Sequence, residues 1–157
     1  MRHMICGGAL VDWIQEKYLK AGHPETSIEE LWMLAVDNID NVRRRVAENS
    51  RTPLELLTVL STDDIPEVRI AVAENPRTPI DLLAVLAVDE HADVRYSLAE
   101  NPNLPIGILE LLSEDDNPYV NHRAKRTLRI LSPFEPRTFR RDSEGGAEEG
   151  YRWRKLS

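Results

Sequence analysis

A chain of 157 residues with a formal net charge of −7 and one cysteine, Cys6, has the length of one domain with a tail. It cannot assemble an intramolecular disulfide, a cysteine-rich zinc site or an iron–sulfur cluster from its own residues. Apolar residues make up 41% and charged ones 30%, a globular balance that excludes wholesale disorder.

No apolar run reaches the roughly eighteen residues of a membrane span. Met1 to Leu10 is too short and too weakly apolar for a secretion signal, which predicts a cytoplasmic protein with no membrane partner. The charge is unevenly spread. Residues 1–117 carry 10 Lys/Arg against 22 Asp/Glu, whereas residues 118–141 carry 7 against 1. An acidic body disfavours duplex nucleic acid, whose affinity comes mostly from neutralised phosphates.

In chain order, residues 1–20 are expected to form an N-terminal cap. Leu10, Val11, Trp13, Ile14, Tyr18 and Leu19 give an amphipathic helix there, with Trp13 and Trp32 expected to pack into the core. Residues 21–131 form the repeat region, with units near 27–52, 53–78, 79–104 and 105–131. The segments Val42 to Asn49, Val68 to Asn75 and Val94 to Asn101 match at a spacing of 26, each followed by Thr52-Pro53, Thr78-Pro79 or Leu104-Pro105 and then a leucine-rich stretch. Each unit reads as two short helices.

Thr26, Thr52 and Thr78 are expected to N-cap the first helix, with Glu29, Glu55 and Asp81 three residues on, and the prolines to occupy the first helical position. That helix carries Leu54, Leu57 and Leu60, or Ile80, Leu83 and Leu86, as its apolar stripe. The second helix starts near Pro66 or Pro118 and buries Val68 with Val72, or Val94 with Leu98. Asn75 and Asn101 precede prolines and end it. The last helix, from about Pro118 to Leu131, turns Val120, Ala124, Leu128 and Leu131 inward and His122, Arg123, Lys125, Arg126 and Arg129 outward. Residues 132–157, rich in Pro, Gly, Glu and Arg, are expected to be a mobile tail that ends in the basic and aromatic Tyr151 to Leu156.

The pattern Val-Arg-x-x-Val-Ala-Glu-Asn-Pro-x-Thr-Pro-x-x-Leu-Leu resembles the bacterial leucine-rich repeat variant family and, more distantly, HEAT repeats. The likeness covers about residues 21–131. It implies an all-α, right-handed α-solenoid in which helices, some of them 3₁₀, alternate along a superhelix. The founding type of that family also carries a cysteine-ligated iron–sulfur module, whose cysteines this chain lacks, so the resemblance implies no cofactor here.

Asp37, Asp63, Asp89 and Asp115 recur in register, as do Arg43, Arg69 and Arg95. The HEAT resemblance implies that they hydrogen-bond between units, a structural ladder rather than a phosphate site. On the second helices, residues three and four apart share a face. Across the units that face reads Asn41/Glu67/Asp93/Tyr119, Arg44/Ile70/Tyr96/His122 and Glu48/Glu74/Glu100. If second helices line the concave side, Ile70 and Tyr96 rimmed by carboxylates suit a basic peptide or helix.

His3, His23, His91 and His122 are scattered without metal spacing, and no nucleophile motif or phosphate loop occurs. A HEAT-like enzyme would need a concave pocket of buried, convergent carboxylates. The sequence therefore predicts a non-catalytic protein-interaction module that binds a protein or basic peptide. Nucleic-acid association through the basic terminal helix and tail is the alternative, and head-to-tail self-association of basic end with acidic face is a further expectation.

Overall fold

The computed structural model describes residues 8–131, and side chains from residue 12 onward. Among these residues there are nine helices and no strand. They run α1 (Gly8–Gly22), α2 (Ile28–Ala35), α3 (Asp40–Glu48), α4 (Leu54–Leu60), α5 (Pro66–Glu74), α6 (Ile80–Leu86), α7 (Ala92–Glu100), α8 (Ile106–Ser113) and α9 (Pro118–Leu131). The chain is an α-solenoid of two-helix repeats, and both helices of every unit are α-helical. The tail at 132–157, Cys6 and His3 lie outside the described residues, as do the side chains of Leu10 and Val11.

The second helices α3, α5, α7 and α9 pack successively on one another, and α1 packs on α3. The first helices α4, α6 and α8 lean on second helices and scarcely touch each other. Between the two rows lies one continuous core. Leu31, Leu57, Leu83 and Leu109 fill it at one register position, Leu34, Leu60, Leu86 and Leu112 at another, and Val42, Val68, Val94 and Val120 close it from the second helices. Each helix has only seven to nine residues in the middle units, too short to persist alone, so its stability is contributed by its neighbours.

The first helices begin differently from the sequence expectation. In α2 the cap is Ser27, in a complete capping box with Glu30 rather than Thr26 with Glu29. In α4, α6 and α8 the residue at the N-cap is the proline itself, and its carbonyl accepts the first helical bonds.

The threonines look backwards instead. They are buried, and the Thr26, Thr52 and Thr78 hydroxyls donate to the carbonyls of Lys20, Val46 and Val72 at 2.5, 2.5 and 2.6 Å. A carbonyl at the end of one helix, which already accepts the cap N–H, thus gains a second donor from the residue that precedes the next.

Starting one residue later also turns Leu54 and Ile80 to solvent; Leu56, Leu57 and Leu60, and Leu83 and Leu86, are the inward residues. Three more core assignments fail. Trp13 and Trp32 are 44% and 40% exposed, and Leu131 is exposed at the last turn. The Trp13 ring instead lies under the Lys17 ammonium, 3.7 Å from its centroid, while Ala21 of α1 is fully buried.

Candidate interaction surfaces

Two hydrogen-bond ladders fix the spacing of the units and so the surfaces they present. At the N-terminal ends of the second helices, Arg43 grips Asp63 through Nε and Nη2 at 2.6 and 2.9 Å, Arg69 grips Asp89 at 2.7 and 2.8 Å, and Arg95 grips Asp115 at 2.7 and 3.0 Å. Each guanidinium reaches back with Nη1 to the carbonyl of the aspartate in its own unit, Asp37, Asp63 or Asp89, at 2.8, 2.7 and 2.6 Å.

The aspartates also accept from the backbone N–H groups of Ile39, Ile65, His91 and Asn117. Lys17 pairs with Asp37 at the front of the ladder, and Asn121 donates to the Asp115 carbonyl at its end. Lys17 and Asn121 stand in arginine register, a substitution legible in the sequence once the spacing of 26 is extended both ways.

Burial acts against the Asp63 and Asp89 carboxylates. The guanidinium bonds from Arg43 and Arg69 and the N–H groups of Ile65 and His91 outweigh it and hold both below the ordinary carboxylate range. At Asp115 the Arg95 bond is the leading influence, with the same outcome. Both carboxylate oxygens of each pair accept from the arginine, and all three nitrogens of each guanidinium donate within the stack, which commits these arginines to the ladder rather than to a phosphate.

The second-helix face holds the residues expected to bind a partner, with a narrower acidic part than the sequence suggests. Glu67, Glu74, Asp93 and Glu100 are exposed on α5 and α7. Ile70 and Tyr96 are half-buried and packed against the core. On α3, Glu48 is paired with Arg44 at 3.4 Å and Arg45 at 2.8 Å, so the acid there is neutralised.

Tyr119 and His122 are exposed on α9, in a basic and aromatic depression of about 450 Å3 with Tyr96, Arg123 and Arg126. Arg123, expected to face outward, is half-buried and lies 3.3 Å from Glu100. The carboxylate field is therefore confined to α5 and α7, and at Glu100 it meets Arg123 of a basic shoulder on α9. Beside it, between the C-terminal ends of α5 and α7, a cleft of about 570 Å3 is lined by Glu74, Asn75, Ser97, Glu100, Asn101 and Asn103 among others.

On the opposite side the first helices expose two apolar ladders that sequence reasoning missed. Ile28, Leu54, Ile80 and Ile106 form one, and Met33, Val59, Val85 and Leu111 the other. The signal was present in the same spacing of 26, but a leucine-rich helix does not reveal which of its apolar residues face outward until its start is fixed. The helical segments of α2, α4, α6 and α8 contain no lysine or arginine.

Among the described residues no group of three or more His, Cys, Asp or Glu is placed to hold a metal ion, and no helix is long and apolar enough to cross a membrane. The architecture defines a helical-repeat protein. Residues 66–91, one unit running from α5 to the turn before α7, match the family model described as leucine rich repeat variant, in keeping with the resemblance read from the sequence. Comparison with curated proteins and with solved structures found no match.

Proposed function

We propose that this chain is a non-catalytic protein-interaction module whose second-helix face receives a basic segment of a partner. A helical-repeat scaffold of this kind typically serves protein binding. The observation that carries the reading is the run of exposed carboxylates Glu67, Glu74, Asp93 and Glu100 along stacked α5 and α7, beside the half-buried apolar pair Ile70 and Tyr96. Charge on such a rim guides association and selects the sign of the partner, while the apolar pair supplies contact area. Close packing of α3, α5, α7 and α9 against splayed first helices suits this row to the inside of a curve.

Glu67→Lys with Asp93→Lys changes exposed residues only and is the cleaner test; Ile70→Ala with Tyr96→Ala also removes packing. A basic partner captured by the whole chain and by residues 1–131, and lost on charge reversal at Glu67 and Asp93, supports the reading. Equal capture by the reversed variant overturns it.

The exposed first-helix ladders favour a second reading in which an apolar face of the partner covers Val59 and Val85. Capture abolished by Val59→Arg with Val85→Arg, and indifferent to Glu67 and Asp93, would select it. Head-to-tail self-association through the basic outer side of α9 predicts sedimentation that depends on salt. Nucleic-acid association is the competing outcome, read by a salt-dependent shift of labelled RNA.

A further inference from the structure

The loops at the C-terminal ends of the second helices form their own ladder, and it breaks at one interface. Asn49 Nδ2 donates to the Ala21 and His23 carbonyls at 2.8 and 3.1 Å, and Arg51 Nη1 to the Pro24 carbonyl at 3.1 Å. One unit on, Asn75 Nδ2 donates to the Ala47 and Asn49 carbonyls at 2.6 and 3.1 Å, and Arg77 Nη1 reaches the Arg51 carbonyl at 3.5 Å.

In the next unit Asn103 stands in the place of Arg77 and Leu104 in the place of Thr78. Asn103 is too short to bridge the gap. Leu104 has no hydroxyl to return to α7, and its turn bond to the Asn101 carbonyl stretches to 3.4 Å, against 3.0 Å at both Thr52 and Thr78. The buried Ala73 carbonyl, in register with Ala21 and Ala47, has no hydrogen-bond partner among the described residues. One interface further, Thr127 takes the asparagine position and its hydroxyl closes on the Ala99 carbonyl at 2.6 Å.

The missing rungs coincide with the cleft of about 570 Å3 between α5 and α7. Its lining includes Glu74, Glu100, the three asparagines, Ser97 and Thr78, with Ile80 and Leu83 as apolar residues, and no lysine or arginine. The site holds no cationic side chain, leaves the Ala73 carbonyl without a donor, borders two carboxylates and has an apolar wall for an aliphatic stem. A planar guanidinium supplies five N–H groups in a fixed fork and carries the matching charge, which a lysine ammonium does only as a point.

We propose that this cleft seats one arginine side chain of a bound basic segment, whose guanidinium makes the hydrogen bonds that Asn75 and Arg77 make at the neighbouring interface. This rests on reading the second-helix side as a surface for a basic partner, and names the residue that anchors it.

The probe is acetyl-Gly-Arg-Gly-amide, titrated into the full chain and followed by amide chemical shifts, with the lysine and citrulline peptides beside it. The arginine peptide is expected to shift Ala73, Asn75, Ser97, Asn101 and Asn103, and the uncharged citrulline peptide to bind about tenfold more weakly, the loss of one charge-assisted contact. Asn103→Arg, which restores the ladder residue from within the chain, is expected to abolish the shifts. Ser97→Leu fills the cleft from α7 and serves as the second variant should Asn103→Arg fold poorly.

No shift, equal binding of arginine and citrulline peptides, or undiminished binding by the filled variants overturns the proposal. The broader reading is separable. A basic partner lost on Glu67→Lys with Asp93→Lys but bound normally by Asn103→Arg refutes the cleft and keeps the face; the reverse pattern keeps the cleft and refutes the face.

Discussion

The two ends of the second helices are held by ladders of the same period, yet one is continuous and the other is interrupted. At the N-terminal ends, arginine and aspartate repeat from Arg43 to Asp115, with Lys17 and Asn121 finishing the row. At the C-terminal ends, asparagine, arginine and threonine occur together twice; in the third unit Asn101 keeps the asparagine, but Asn103 and Leu104 replace the arginine and threonine. The difference separates what a repeat must keep from what it can vary. A charged pair taken out of water is strongly destabilising when half of it is lost, whereas a lost neutral rung costs far less and leaves a cleft.

The largest effect is expected from the continuous ladder. Arg69 and Asp89 have side chains only 7% and 8% exposed, so Arg69→Ala strands a buried carboxylate and is expected to cost about 3 kcal/mol, read as a lower urea midpoint at unchanged slope. Replacing the pair together, Arg69→Leu with Asp89→Leu, should recover a large part of that loss, because no charge is then left unpaired. A double variant no better than the single one would show that the bonds to the Asp63 carbonyl and the His91 N–H, rather than the stranded charge, carry the energy.

Acid should attack the same ladder. The native carboxyls of Asp63, Asp89 and Asp115 are held below their ordinary range. Their contribution is fully present above the unfolded value of about 4 and is lost as pH falls through the lower native values. Urea midpoints should therefore fall below about pH 4, and fall less steeply in the Arg69→Leu/Asp89→Leu chain. A midpoint insensitive to acid would mean that these pairs add nothing net.

The interrupted ladder gives smaller, graded effects. Asn75→Ala removes two donors from buried carbonyls and an acceptor from the Arg77 N–H, and should cost about 2 kcal/mol. Asn101→Ala, whose side chain accepts only from the Asn103 N–H, should cost less than about 1 kcal/mol. Equal losses at the two positions would show that the asparagines act as helix stops and that the inter-unit bonds are dispensable.

The fold was readable because its signal is repetition. Val42, Val68 and Val94, or Arg43, Arg69 and Arg95, report their environment together through one spacing, and a single error of register would have moved them all. The first-helix boundary was not readable from Thr52 and Pro53, because a threonine before a proline suits an N-cap equally well in propensity. Only the Val46 carbonyl, six residues back and within reach as an acceptor, decides that the hydroxyl points the other way.

Trp13 and Trp32 misled for a related reason: large apolar side chains are presumed inside, while the inward positions of α1 and α2 go to Ala21, Leu31, Leu34 and Ala35 and the tryptophans stand on the outer sides. The acidic face was legible as a set of positions. Its division into a neutralised α3, an acidic middle and a basic α9 depended on which charges meet: Arg44 and Arg45 reach Glu48 at helical spacings of four and three that the linear pattern offers, whereas Arg123 reaches Glu100 on another helix, which it does not.

The smallest effect bears most directly on why the second ladder stops. Leu104 is buried in the position where Thr52 and Thr78 send a hydroxyl to the helix before them. Leu104→Thr restores that donor for the Leu98 carbonyl but withdraws apolar side-chain volume from the core. The hydrogen bond is worth about 1 kcal/mol net, and the lost apolar contact is of similar or larger size, so the single variant should be neutral to slightly destabilising. Leu104→Thr combined with Asn103→Arg adds the bridging guanidinium and should be more stable than Leu104→Thr alone by about 0.5–1 kcal/mol. A gain in the double variant would establish the break as a vacancy the scaffold can refill; a further loss would mean that the loop at 101–105 has settled into a different packing in which Leu104, and not the missing arginine, holds the two units apart.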